Sequence, residues 1–84
     1  MNFIERCDNL VKIAQFIRKE KTGTLEEIAQ KCNLKKDAVH DHIEILRQFA
    51  ARESAKILYD RDRRTYYFCP RGYFNGFDFI TDDW

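Results

Sequence analysis

Apolar residues recur at helical spacing over the first quarter of the chain. Residues 3–19 contain such residues at positions i, i+4, i+7, i+11 and i+14, namely Phe3, Cys7, Leu10, Ala14 and Ile17. This spacing places them on one stripe of an α-helix. The stripe is widened by Val11, Ile13 and Phe16. A wide stripe is typical of the central core helix of a small bundle, and it also fits a helix that packs against a partner chain.

A turn and two further helices follow in the pattern. Gly23 supplies the backbone freedom for a turn between two threonines. Residues 24–27 (Thr-Leu-Glu-Glu) fit a capping box, in which the Thr24 hydroxyl accepts from the amide three residues later and the glutamate reaches back. The apolar spacing then predicts a short helix over residues 25–32, a turn at residues 33–35 and a longer helix from about Lys36 to Phe49.

The periodicity changes to two after Ala51. Ile57 and Tyr59 alternate with Leu58 and Asp60, and residues 65–68 (Thr-Tyr-Tyr-Phe) are strand formers. The short charged run between these segments predicts the tip of a β-hairpin. Pro70 ends the second strand, because it has no amide proton for the sheet.

The last fourteen residues are aromatic and interrupted by glycine. They contain Tyr73, Phe74, Phe77, Phe79 and Trp84, without a helical or strand period. Aromatic side chains at this density are not expected to remain in water. They fit two arrangements equally well: a wrap that completes the core of this chain, or a contact with a second subunit.

Composition limits the chain to one small domain. Its 84 residues cannot hold a TIM barrel or a regulator with a full ligand-sensing half. Lys and Arg number 15 against 14 Asp and Glu, so a whole-chain basic footprint for nucleic acid is absent. Residues 52–64 form a local basic cluster, with five basic and three acidic side chains. No segment is a signal peptide or is apolar enough to span a membrane, which predicts a cytoplasmic protein.

Metal binding and catalysis are not expected from the motifs. The three cysteines (Cys7, Cys32 and Cys69) match no metal-ligand spacing and are expected to be free thiols in a reducing compartment. In His40-Asp41-His42 the imidazoles are about 200° apart on a helix, so we expect one solvated ring and one packed at the core edge. There is no Gly-rich phosphate loop or nucleophile elbow. We therefore expect no enzyme activity, cofactor or metal.

The order of elements resembles a known DNA-binding fold. A helix, a short helix, a turn, a longer helix and a hairpin form a helix-turn-helix followed by a wing. Residues 25–39 resemble the winged helix-turn-helix segment of bacterial transcription regulators, in particular DeoR-like and WYL-type regulators, and are similar also to the biotin-operon repressor. Residues 57–68 resemble the WYL-type wing. The resemblance covers roughly residues 5–69 and implies an α+β, mostly α, winged helix over residues 1–69, with residues 70–84 as an aromatic C-terminal extension.

This resemblance implies double-stranded DNA as a partner and assigns contact residues by position. At the start of the recognition helix stand Lys35, Lys36 and Asp37. Where base-edge contacts are usual stand Ala38, His40 and Asp41. On the wing, where contacts to phosphate or to the minor groove are usual, stand Arg61, Arg63 and Arg64. Further candidate phosphate contacts are Lys19 and Lys21.

Two departures from the family pattern keep a second function open. Lys35 stands where the family usually has a small hydroxyl residue, and a lysine has no acceptor with which to cap a helix. The exposed start of the recognition helix also carries Asp37, Asp41 and Glu44, which oppose a phosphate backbone. The sequence therefore predicts a homodimeric DNA-binding transcription regulator. The alternative is a winged-helix protein–protein interaction module that does not bind DNA but docks a protein partner.

Overall fold

Three helices are followed by two antiparallel hairpins, so the fold belongs to the α+β class. The structure is a computed structural model and describes residues 1–82. The helices are α1 (Phe3–Lys19), α2 (Leu25–Cys32) and α3 (Lys36–Ala51). The strands are β1 (Lys56–Asp60), β2 (Thr65–Cys69), β3 (Gly72–Phe74) and β4 (Phe79–Thr81). The predicted tail aromatic Trp84 lies outside the described residues.

Helix α1 has the predicted bounds because both of its ends are capped. The Asn2 side chain accepts from the Glu5 amide at 2.8 Å, and the helix ends at Glu20, whose backbone is left-handed. The buried face consists of Leu10, Ile13, Ala14 and Ile17. Phe3, which the stripe places on the same face, is exposed instead, because it lies in the first turn beyond the elements that cover the rest of α1.

The predicted cap of α2 is confirmed in part. The Thr24 hydroxyl accepts from the Glu27 amide at 3.3 Å. The Glu27 carboxylate does not bond back to the cap but lies 3.9 Å from the Arg64 guanidinium. Helix α2 ends at Asn33, whose backbone is left-handed. The three residues that follow form the turn before α3.

Lys35→Ser is expected to stabilise the protein by about 1 kcal/mol. Lys35 has the extended backbone of a helix N-cap but makes no side-chain capping bond to α3. A serine hydroxyl can accept from an amide of the first turn of α3. In thermal unfolding we expect a rise in Tm of roughly 4–8 °C. Lys35→Ala is the matched control, and an equal gain from alanine would show that capping is not the cause.

Helix α1 is central to the core, as the width of its stripe predicts. It contacts α2, α3, β2 and β3. The largest fully buried apolar side chains come from all three helices, namely Ile13, Ile17, Ile28, Ile43 and Leu46. In the first hairpin, Ile57 pairs with Phe68 across the strands, and both side chains are buried. This cross-strand pair is one of the contacts through which the hairpin packs on the rest of the core.

The aromatic tail forms a second hairpin that its pattern does not predict. Phe74 packs on Phe49 with ring centroids 4.8 Å apart, and Phe79 packs on Phe68 at 4.7 Å. Gly72 is required at this point, because a Cβ there would stand 2.5 Å from Cζ of the Phe79 ring. Of the two arrangements open for the tail, the intramolecular wrap holds for these two phenylalanines.

A buried pair of threonines joins the segment after α1 to the first hairpin. The Thr22 amide donates to the Thr65 hydroxyl oxygen at 3.1 Å, and the Tyr66 amide donates to the Thr22 hydroxyl oxygen at 2.9 Å. The two hydroxyls lie 3.2 Å apart. Both side chains are buried, so water does not supply partners for the two hydroxyls, and these bonds satisfy their hydrogen-bonding capacity. The pair holds β2 against the entry to α2.

Candidate nucleic-acid interface

The candidate interface begins at the α2–turn–α3 unit. The amide of Leu34 donates to the Ala29 carbonyl at 2.9 Å and closes the end of α2 before the turn. Val39 and Ile43 of α3 are buried, which leaves the opposite side of α3 in solvent. Of the predicted base-edge residues, His40 and Asp41 are exposed on that side, whereas Ala38 is half-buried.

The first cation of α3 is paired within the chain. Lys36 Nζ lies 2.8 Å from Glu26 Oε1 of α2. The hydrogen bond from Lys36 lowers the pKa of Glu26, and the same bond raises the pKa of Lys36. A lysine held in this way must exchange a carboxylate for a phosphate before it can contribute to DNA binding. Because both side chains are more than half exposed, the pair itself is worth little to stability.

The rest of the exposed α3 face is acidic. Glu44 lies beside His40, with 3.7 Å between Nε2 and Oε1, and forms an ion pair with Arg47. Asp37 and Asp41 are exposed and form no ion pair within residues 1–82. This face therefore presents two unpaired carboxylates where DNA-binding helices usually present cations.

The hairpin tip is ordered by its own aspartate. Asp60 Oδ1 accepts from the amides of Asp62 at 2.9 Å and Arg63 at 3.2 Å, and Arg64 adopts a left-handed conformation with φ of 55°. Arg63 donates through Nε to Asp60 Oδ2 at 2.8 Å. This hydrogen bond lowers the pKa of Asp60 and raises the pKa of Arg63. The tip is a fixed turn and not an open loop.

Arg63 is also bound to the end of α1, which the sequence pattern did not indicate. Its Nη1 donates to Oε1 of Glu20, and Arg71 Nε lies 3.2 Å from the other oxygen of the same carboxylate. The Glu20 side chain is only 12% exposed. Glu20 therefore joins α1, the hairpin tip and the start of the second hairpin. The Arg63 guanidinium is used for contacts within the chain.

The remaining predicted cations are more accessible. Lys35 and Arg61 are exposed and form no ion pair within residues 1–82, and Arg64 makes only the 3.9 Å contact with Glu27. Lys19 and Lys21 are also exposed at the end of α1. Because Lys36 pairs with Glu26 and Arg64 lies near Glu27, the start of α3 and the hairpin tip lie on either side of the first turn of α2.

Two tyrosines of the first hairpin add an aromatic surface that was not predicted as part of the site. Tyr59 and Tyr66 pack edge to face with centroids 4.8 Å apart. Burial raises the pKa of Tyr66, which also interacts electrostatically with Arg47 and Lys36. Strand propensity identifies these tyrosines only as strand formers. Their position beside α3 depends on how the hairpin packs.

The two histidines of α3 lie on different sides of the helix, as predicted. His40 is exposed and His42 is buried. His42 Nδ1 lies 2.5 Å from the Ala38 carbonyl oxygen, so Nδ1 carries the proton, and Nε2 is buried without a hydrogen-bond partner within residues 1–82. The described part of the chain holds no group of three or more His, Cys, Asp or Glu side chains placed to share a metal ion. All three cysteines are free.

Comparisons with known proteins add no family to this picture. No protein-family model, curated protein or solved structure matches the chain. Within residues 1–82, no helix has the length and apolar character needed to cross a membrane.

Proposed function

We propose that this protein is a winged helix that binds double-stranded DNA in transcription regulation. The observation that carries the proposal is the arrangement of α2, the turn and α3, with the hairpin tip beside the first turn of α2, where Arg64 lies 3.9 Å from Glu27. A helix-turn-helix places its second helix in the major groove, and a wing beside it reaches the adjacent backbone. The exposed side of α3 and the tip are therefore available to one duplex.

In this proposal the accessible cations bind phosphate. Lys35 at the start of α3 and the tip residues Arg61 and Arg64 contribute counterion release, which supplies most of the sequence-independent affinity. Lys19 and Lys21 extend the same set. Lys36 joins it by leaving Glu26, since a phosphate can replace a carboxylate as its partner.

Base recognition is assigned to the exposed residues of α3. The carboxylates of Asp37 and Asp41 can accept a hydrogen bond from the cytosine amino group in the major groove. Such contacts are less common than those of arginine with guanine, but they suit an acidic side chain. His40 can donate to a purine acceptor, and Ala38 can make apolar contact with a thymine methyl group. Arg63 is assigned a supporting role, because it holds the tip to Asp60 and Glu20.

A second function is favoured by the pairing of the cations. Lys36 and Arg63 are neutralised by carboxylates within the chain, and Asp37 and Asp41 remain unpaired on α3 within residues 1–82. A surface of this kind suits a basic protein partner better than a polyanion. The second candidate is therefore a winged-helix interaction module that docks a protein through α3.

DNA binding is tested by fluorescence anisotropy with random-sequence duplex at about 50 and 200 mM salt. The three contacts of Lys35, Arg61 and Arg64 alone give a slope of about −2.7 in log affinity against log salt, so affinity is expected to fall at least about 40-fold between the two conditions. Arg61→Ala with Arg64→Ala is expected to reduce the slope by about 1.8.

Lys56→Ala is the matched control for this experiment. Lys56 is exposed at the end of β1 opposite the tip, so its loss is expected to leave the slope unchanged. An equal effect of Lys56 and of the two tip arginines would remove the tip from the interface. Absence of binding at both salt concentrations would reject DNA binding and leave protein docking as the function to test.

A further inference from the structure

Four large apolar side chains are conspicuously exposed at two places in the fold. Phe77 in the turn of the second hairpin is 80% exposed. At the start of the chain, Phe3 is 79%, Ile4 69% and Met1 56% exposed. None of these residues belongs to the candidate nucleic-acid interface. Single exposed apolar residues need no explanation, but a contiguous group does.

The two places join along α1. Phe3, Cys7 and Val11 follow one another at intervals of four residues. Ile4 precedes Cys7 by three residues and Val11 by seven, so all four lie on one face of α1. The second hairpin lies along this face: Arg18 stacks over the Tyr73 ring at 5.2 Å, and a Cβ built on Gly76 would stand 3.8 Å from Val11 Cγ2. Phe77 follows Gly76 directly.

These residues define one apolar patch, formed by Phe3, Ile4, Cys7, Val11 and Phe77. We propose that the patch is the contact with a second copy of this chain in a two-fold symmetric dimer. In this dimer Phe77 of each copy packs on Val11 and Cys7 of the other. The dimer is independent of the proposed DNA binding, since the patch shares no residue with α3 or the first hairpin.

The size of the patch suits a dimer. A phenylalanine buries about 150–250 Å² when fully covered, so Phe3 and Phe77 together offer about 300 Å². Ile4 brings the exposed apolar area to about 400 Å², which is within the range of the largest patch on a typical monomer. A standard interface buries about 800 Å² on each partner. The apolar patch therefore supplies about half of that area before any polar rim is added.

The shape of the patch fits a copy of itself. A two-fold interface brings the same surface together from both sides, so it must contain both halves of each contact. Phe77 protrudes at a turn, whereas Val11 and Cys7 are half-buried on a helix face. One patch therefore contains both a protruding ring and a shallower apolar surface. In a two-fold dimer the ring of each copy can pack on the shallower surface of the other.

The oligomeric state tests this proposal directly. Sedimentation equilibrium of the full chain from about 10 to 300 μM is expected to give twice the 10.1 kDa chain mass at the upper concentrations. Phe77→Asp is expected to weaken dimerisation at least 100-fold and to remain monomeric, with an unchanged circular dichroism spectrum because Phe77 is exposed. Leu58→Asp, on an exposed residue of β1 outside the patch, is the matched control and is expected to dimerise like the wild type.

A second substitution tests the part of the patch that α1 provides. Ile4→Asp is expected to weaken the dimer about tenfold, because Ile4 is 69% exposed on the same helix face as Val11. A wild-type monomer at 300 μM would overturn the proposal, and so would a Phe77→Asp protein that dimerises like the wild type. An Ile4→Asp protein that dimerises like the wild type would overturn the part assigned to α1.

Discussion

Phe79→Ala is expected to destabilise the protein by about 3–5 kcal/mol, the usual cost of removing a buried phenylalanine side chain. Phe79 is 3% exposed and packs against Phe68, which is itself buried beside Ile57 of the first hairpin. Small domains have a total free energy of unfolding near the lower end of about 5–15 kcal/mol. The substitution should therefore remove most of the stability, measured as a lower midpoint in urea unfolding followed by circular dichroism.

Phe77→Ala is the control, because it makes the same chemical change two residues away in the same hairpin. The Phe77 ring is exposed, so its loss is expected to change the free energy of unfolding by no more than about 0.5 kcal/mol when the protein is monomeric. Equal small losses from both substitutions would mean that the second hairpin does not stabilise the core. Residues 72–81 would then be dispensable for folding.

The helices were predictable because their information is local. The bounds of α1 follow from an apolar stripe and those of α2 from the Thr24 cap, both of which are visible within a few residues of sequence. The first hairpin is equally local, since two runs of strand formers flank a charged tip of four residues, 61–64. These elements need no knowledge of what they pack against.

The second hairpin was not predictable for the opposite reason. Strands β3 and β4 are three residues each, which is too short for alternation to be distinguished from chance. Their stability comes from nonlocal ring contacts, of Phe74 with Phe49 and of Phe79 with Phe68. Aromatic density indicated that the tail would be covered, but only the packed structure distinguishes its two buried rings from exposed Phe77.

The candidate interface shows the same division. The sequence locates the cations of the turn and the hairpin tip, but it does not reveal which carboxylates they meet. Arg63 pairs with Glu20, which is 43 residues away, and Lys36 pairs with Glu26 across the turn between α2 and α3. Charge counts along the chain therefore overstate the cations that are free for a polyanion, and Lys35, Arg61 and Arg64 become the residues with which to test DNA binding.

Thr22→Val is expected to destabilise the protein by about 2–3 kcal/mol, although the two side chains have nearly the same shape. The Thr22 hydroxyl is the acceptor for the Tyr66 amide, which faces away from β1 at the buried start of β2. Valine cannot accept, so this part-buried amide loses its partner, and an unsatisfied buried donor costs about 1–3 kcal/mol. The loss of the contact between the Thr22 and Thr65 hydroxyls adds to this.

A double-mutant cycle distinguishes this pair from ordinary packing. Thr22→Val and Thr65→Val each break the one contact between the two hydroxyls, so the double variant is expected to lose about 1–2 kcal/mol less than the sum of the single variants. Thr22→Ser is the matched control, because it keeps the acceptor for the Tyr66 amide and removes only a methyl group. If serine were damaging and valine were not in urea unfolding, the methyl contact and not the hydrogen bond would hold the first hairpin to the segment between α1 and α2. That outcome would also mean that the Thr22–Thr65 pair is not what keeps the hairpin beside α2.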